Sequence, residues 1–270
     1  MFGSLVVIFP TIHEGGALLL RQGGKEWTFD SAEAVKPSQD PSLATPTPQA
    51  AYIAFFSDVE HEVTTITSGY RVTLTYNLYR KSSAVPPNAA AYKEVDMQLK
   101  ESLARLLADP SFLPEGGILG FGLDHKYAIN PDSTKLADIA QCLKGMDESI
   151  KRVCESLGLK VRLRPVYGTS PEYSIVLNSF ADLDGMDEDD DVDFYLSSFE
   201  GAMVLCHPGR ENKVPEELQE KATPIVWIKG RSRTNPFSNA YIGFGNQAEI
   251  DYVYGEVCLI VEVLPAEKRL

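Results

Sequence analysis

The 270-residue chain carries a formal net charge of -13, with 44% hydrophobic and 23% charged residues, so it has room for one large β-rich domain or a domain plus a smaller module. No apolar run approaches the ~20 residues that cross a bilayer, and the run over residues 5–9 lacks the basic start and cleavage site of a signal peptide. The acidity gives no strong sign of nucleic-acid binding, which needs a basic surface, so an intracellular protein, cytoplasmic or nuclear and without membrane association, is expected.

In chain order, residues 4–9 form a continuous apolar run stopped by Pro10, which predicts a strand buried on both faces. Gly15-Gly16 opens a strand over 17–21, and Gly23-Gly24 turns it back into 26–29. Pro37, Pro41, Pro46 and Pro48 predict an irregular surface loop over 36–49. Strands follow at 51–57 and 70–79, the second with Val72, Leu74, Tyr76 and Leu78 on one face. Short strands separated by turns, with no helix between them, predict an antiparallel sandwich or barrel.

The pattern changes after Pro86-Pro87. A helix is predicted over 89–108, with Val95, Leu99, Leu103, Leu106 and Leu107 on one stripe and Pro110 as its stop. A second spans 133–157, with Gly145 as its weak point and Gly158 ending it. Strands are expected at 118–123, 161–163, 174–177, 224–228, 240–244 and 257–264. The fold class is therefore α+β and β-rich, divided into 1–85 and 86–270. Cys142, Cys154, Cys206 and Cys258 are widely spaced, which predicts free buried thiols. The acidic run 187–193 reads as a solvated loop. An EF-hand starting at Asp187 would need Gly and Glu where Val192 and Ser198 stand.

The segment that carries chemistry is Ser57-Asp58-Val59-Glu60-His61-Glu62-Val63, followed by Thr67-Ser68-Gly69-Tyr70-Arg71-Val72-Thr73. A histidine closes one strand, a Ser-Gly turn follows, and an arginine enters the next. Imidazole suits ferrous iron, and a guanidinium can hold a carboxylate by two parallel hydrogen bonds. Neighbouring strands lie about 4.8 Å apart, so two such side chains can share one pocket. Spacing alone is weak, because any hairpin can contain His and Arg.

The string over 55–78, together with Met1-Phe2-Gly3-Ser4-Leu5-Val6, His13-Glu14-Gly15-Gly16-Ala17-Leu18 and Glu26-Trp27-Thr28-Phe29, resembles the distal half of the prolyl 4-hydroxylase-like 2-oxoglutarate/Fe(II) dioxygenases, and a fungal group among them. Gly122-Leu123-Asp124-His125-Lys126-Tyr127, Leu143-Lys144-Gly145-Met146-Asp147 and 241–247 are similar to the same group. The resemblance implies an incomplete double-stranded β-helix (jelly-roll) over 1–85, with a family-associated α+β region after it. It implies Fe(II) and 2-oxoglutarate as cofactors, His61 as a metal ligand and Arg71 as the oxoglutarate anchor. Thr73, on the same strand face as Arg71 by alternation, is the further cofactor-binding candidate.

Iron in this family sits on two histidines and a carboxylate, the first two ligands coming from a His-x-Asp motif. The expectation is that this motif lies upstream of the strand at 4–9. His13 is a weak substitute, placed in a turn by Gly15-Gly16. Asp58 reads as turn chemistry, Gln22 stands where relatives tend to carry histidine, His125 reads as structural or surface, and His207 as a loop residue. The function implied is a hydroxylase-type dioxygenase acting on an unidentified substrate. A non-catalytic β-scaffold that engages a protein partner is the alternative, and a cupin-like binder leaves the His61–Arg71 spacing unexplained.

Overall fold

The computed structural model describes residues 2–37, 47–79, 93–168, 170–186, 190–231, 233–243 and 249–269. The fold is mixed α+β and strand-rich, and the chain divides into two units, Met1–Val85 and Pro86–Leu270.

The first unit contains β1 (Gly3–Ile8), β2 (His13–Gly15), β3 (Leu18–Gln22), β4 (Lys25–Phe29), α1 (Ser31–Ala34), β5 (Ala51–Phe56), β6 (Glu60–Val63), β7 (Ile66–Gly69) and β8 (Thr73–Leu78). They pair antiparallel in the orders β5-β1-β8, β4-β3-β6 and β2-β7. The hairpin at Gly23-Gly24 forms as expected: both glycines take positive φ, +57° and +75°, as a two-residue type I′ turn requires. Val6 and Ile8 of β1 pack with Ile53 and Phe55 of β5 and Phe29 of β4. Leu18 and Leu20 of β3 join the same aromatic residues, so apolar faces of the two three-stranded sheets make one core.

Two local expectations change. β1 alternates rather than being buried on both faces. Its outward residues Leu5 and Val7 share cross-strand rows with Tyr76 and Leu74 of β8, which are 49% and 44% exposed, while the half-buried Thr73 lies opposite the buried Ile8 and Thr75, opposite Val6, is exposed. A one-turn helix, α1, also interrupts the strand series. Asp30 caps it, its carboxylate accepting from the Glu33 amide at 3.0 Å. Residues 38–46 of the expected loop lie outside the described residues.

The second unit contains α2 (Lys93–Ala108), β9 (Gly117–Gly122), α3 (Leu136–Ala140), α4 (Gly145–Ser156), β10 (Lys160–Tyr167), β11 (Tyr173–Val176), α5 (Val192–Ser198), β12 (Met203–Cys206), β13 (Ala222–Lys229), β14 (Pro236–Gly243) and β15 (Glu249–Val263). The order β10-β11-β12-β13-β9-β15 closes on itself through β10–β15, making a six-stranded barrel. β12, β13 and β9 run parallel, and β14 pairs with the first half of β15. Inside lie Ile118, Val166, Val176, Leu205, Ile225, Cys258 and Ile260. Outside, Leu119, Phe121, Leu163, Leu259 and Val261 pack with helix residues including Leu103, Ile139, Ile150, Val153 and Leu196.

Trp227 lies flat against Gly120, where an added Cβ would stand 2.4 Å from the indole Cε3. A closed barrel leaves such a ring little room to move, so Gly120→Ala is expected to cost about 1–3 kcal/mol by overpacking. Chemical denaturation of the variant measures this, and unchanged stability would contradict the packing described.

The helix expected over 133–157 splits into α3 and α4, because Gly145 has φ +50° where the second helix begins. β10 runs on past the expected 163, through Pro165, whose carbonyl still accepts from the Leu177 amide at 3.2 Å. Residues 187–189 of the acidic run lie outside the described residues. Its remainder is not simply solvated: Asp191 caps α5, accepting from the amides of Asp193 and Phe194 at 2.9 and 3.1 Å. All four cysteines are free, but Cys142 is exposed whereas the other three are buried. Among the described residues no helix is long and apolar enough to cross a membrane.

Candidate functional site

The site forms where three segments of the first unit converge. β2 and β7 pair with His13 opposite Gly69, and the Phe9 amide donates to the Val72 carbonyl at 3.0 Å. These contacts fix Arg71 between β7 and β8. Its aliphatic stem runs over Gly16, where a Cβ would stand 2.8 Å from Arg71 Cδ. Only glycine leaves that space, which gives the Gly15-Gly16 pair a second role besides turning the chain.

Arg71 Nε donates to Ser31 Oγ at 3.2 Å. Ser31, fully buried at the start of α1, donates in turn to the Gly16 carbonyl at 2.7 Å. On the other side of the hydroxyl stands His13, 6% exposed, with Nε2 at 3.2 Å from Ser31 Oγ and Nδ1 at 2.8 Å from the Thr11 carbonyl. Arg71 Nη2 is buried and has no hydrogen-bond partner among the described residues, and burial lowers the pKa of the guanidinium. Leaving a buried charged donor unpaired costs about 1–3 kcal/mol or more. A carboxylate is the group whose geometry and charge would satisfy it.

Thr73 opens β8, two residues after Arg71. It is half-buried and lies opposite Ile8, which is fully buried. Ile8 also pairs with Ala51, so Thr73 borders the core side of the sheet.

His61 stands on a different sheet, opposite Leu20, with its ring 4.9 Å from that of Phe55. Its Nδ1 lies 3.1 Å from the Val59 carbonyl, so this nitrogen carries the proton and Nε2 offers the lone pair a metal needs. Asp58 is engaged by Gln22, whose Nε2 donates to it at 3.1 Å, tying β3 to the turn before β6. Among the described residues no hydrogen bond or ring contact joins His61 to Arg71, and no group of three His, Cys, Asp or Glu is placed to hold a metal ion. The donors present thus fit a ligand carboxylate at Arg71, and they do not make up an iron site by themselves.

A second polar cluster lies in the other unit, where the segments around His125 and Lys144 meet. Asp147 is fully buried and accepts from the amides of Asp124 and His125 at 2.8 and 3.1 Å and from the Tyr127 hydroxyl at 2.9 Å. Asn235 closes the group, donating to the His125 carbonyl and accepting from the Tyr127 amide, both at 2.8 Å. Lys144 Nζ donates to the Lys126 carbonyl at 3.2 Å. Desolvation raises the Asp147 carboxyl above the usual range, against the pull of its hydrogen bonds. Because these groups satisfy one another, this cluster is architecture. His125 is structural as expected, and His207 is an exposed loop residue whose carbonyl accepts from the Arg210 amide. Residues 244–248 of the third quoted segment lie outside the described residues.

Sequence reasoning singled out Arg71 and missed Ser31, 40 residues away, whose serine carries no motif. It placed His13 in a turn, whereas His13 is the first residue of β2 with both ring nitrogens engaged. Its role as a substitute metal ligand would require breaking one of those bonds. No protein-family model, curated protein or solved structure matches this chain.

Proposed function

We propose that the unit Met1–Val85 is an incomplete jelly-roll of the 2-oxoglutarate/Fe(II) dioxygenase type and that it binds 2-oxoglutarate through Arg71. The observation that carries this reading is the buried Arg71 Nη2 without a partner, held in place by Ser31 and Gly16. A carboxylate of the ligand would receive that donor, with Thr73 beside it. His61 Nε2 would be one ligand to iron. Bound iron with oxoglutarate supplies oxidation of an unreactive C–H bond. Two further ligands would have to join His61, and the described residues do not supply them. The protein groups present bind and orient the dicarboxylate and exclude water from the Arg71 side. The substrate belongs to no class that this scaffold selects.

The second reading is a non-catalytic member that keeps the β-scaffold to engage a partner; what supports it is that Arg71, oriented by Ser31, can receive a carboxylate without a metal. Calorimetric titration with 2-oxoglutarate, without metal and with ferrous iron under nitrogen, tests both. The wild-type chain is expected to bind in either case, and Arg71→Ala to weaken binding by about 10- to 100-fold, the cost of a lost charge-assisted pair. Arg71→Lys keeps the charge without the fork and should fall between. Equal affinity in wild type and Arg71→Ala would overturn the assignment. Tightening by ferrous iron supports the oxygenase reading, and indifference to it supports the non-catalytic one.

A further inference from the structure

The Ser31 hydroxyl has one proton and two lone pairs, and three neighbours compete for them. The Gly16 carbonyl can only accept, so it takes the proton. Arg71 Nε can only donate, so it occupies one lone pair. The remaining lone pair faces His13 Nε2, and two lone pairs cannot make a hydrogen bond, so Nε2 must bring a proton of its own. Nδ1 faces the Thr11 carbonyl, another pure acceptor, and must donate as well. All four contacts can be hydrogen bonds at once only when His13 carries a proton on both ring nitrogens.

In that state the buried His13 and the half-buried Arg71 share one neutral hydroxyl between two positive charges. The acidic groups around them are committed elsewhere. Glu14 follows His13 on β2 and is exposed. From α1, Glu33 pairs with Lys36, and Asp30 caps the helix. β7, the other element packed on β2, carries no titratable residue. Among the described residues no carboxylate is bonded to His13 or Arg71. The arrangement has the positive charge, the burial and the free donor of an anion site, and lacks the anion.

We propose that His13, Ser31 and Arg71 form a proton-linked anion site, in which a ligand carboxylate binds at Arg71 Nη2 together with a proton on His13. This rests on the Arg71 reading above and adds a role for His13 as a positioning residue. Without the proton, either the Ser31–Gly16 bond or the His13–Ser31 bond is lost, and the guanidinium loses its fixed orientation. With the proton and no anion, two like charges face each other across Ser31. A carboxylate relieves the repulsion, so ligand and proton favour each other's binding and affinity rises as pH falls. Linkage makes the effect reciprocal.

Calorimetry with 2-oxoglutarate and with succinate, in two buffers of different ionisation enthalpy, reads the proton directly. Wild type is expected to take up a proton with either ligand and to bind several-fold tighter at about pH 6 than at about pH 8, the interval in which imidazoles change charge. His13→Gln should bind with no proton uptake and a flat profile, with thermal unfolding confirming that it is folded. Wild-type binding that needs Arg71 yet takes up no proton would overturn this inference and leave the Arg71 reading standing. Wild-type binding that is absent, or unchanged in Arg71→Ala, would overturn both. If His13→Gln does not fold, long-range proton–nitrogen spectra of the four histidines in wild type decide the matter. Succinate should drive one ring to the doubly protonated pattern, and no change in any ring would contradict the proposal.

Discussion

Asp147→Ala is expected to destabilise the unit Pro86–Leu270 by about 3 kcal/mol or more. The side chain is fully buried, and its removal takes away the acceptor shared by the Asp124 and His125 amides and the Tyr127 hydroxyl. Each stranded donor costs on the order of 1 kcal/mol or more. The cavity left by the carboxylate adds to this, though a water entering it would offset part. Asp147→Asn is expected to be intermediate, because an amide offers one acceptor where the carboxylate offers two. Urea unfolding followed by the fluorescence of Trp227 measures the change, and a loss below about 1 kcal/mol would show that the donors find other partners.

Gly69→Ala should be the most damaging small change in the first unit. Gly69 has φ +74°, and a Cβ there would stand 2.2 Å from the Ile12 carbonyl oxygen and 2.9 Å from His13 Cα. Both obstacles are backbone, so no rotamer change relieves them. Unfolding free energy is expected to fall by at least about 2 kcal/mol. Because His13 must shift, 2-oxoglutarate binding should weaken with it. Gly23→Ala is the matched control. Its φ is +57° with nothing within 4 Å, so it pays only the cost of the left-handed backbone, about 1 kcal/mol. Thermal unfolding of the pair separates strain from collision, and equal losses would contradict the close crossing of β2 and β7.

Local chemistry was legible in the sequence, and long-range pairing was not. Two adjacent glycines between apolar runs specify a two-residue hairpin by themselves, and β3 and β4 meet at Gly23-Gly24 as that rule requires. The barrel has no such local mark. Its parallel neighbours β12, β13 and β9 are brought together across about a hundred residues of chain, and closure through β10–β15 depends on all six strands at once. β10 passes its expected end at 163 and continues through Pro165, which has no N–H for the ladder. Its lost donor is tolerated because the carbonyl on the same residue still finds the Leu177 amide.

The site divides in the same way. Arg71 and His61 stand out in the sequence through the resemblance of residues 55–78 to the dioxygenases, which implies their roles; their spacing alone is a weak signal. What makes Arg71 a site is non-local. Gly16 clears space for its stem, Ser31 orients Nε, and His13 stands behind Ser31. The alternation that puts Val72, Leu74 and Tyr76 on one face is equally visible in the sequence. Periodicity tells which residues share a face and not which face meets the core, so only the fold reveals that Thr73 borders the core side.

A crystal structure of the chain with 2-oxoglutarate tests the central claim most directly. A ligand carboxylate is expected about 2.7–3.0 Å from Arg71 Nη2, with Ser31 still accepting from Nε and Thr73 at its edge. A ligand seated elsewhere, with Nη2 still unbonded, would contradict the assignment of Arg71 as the anchor.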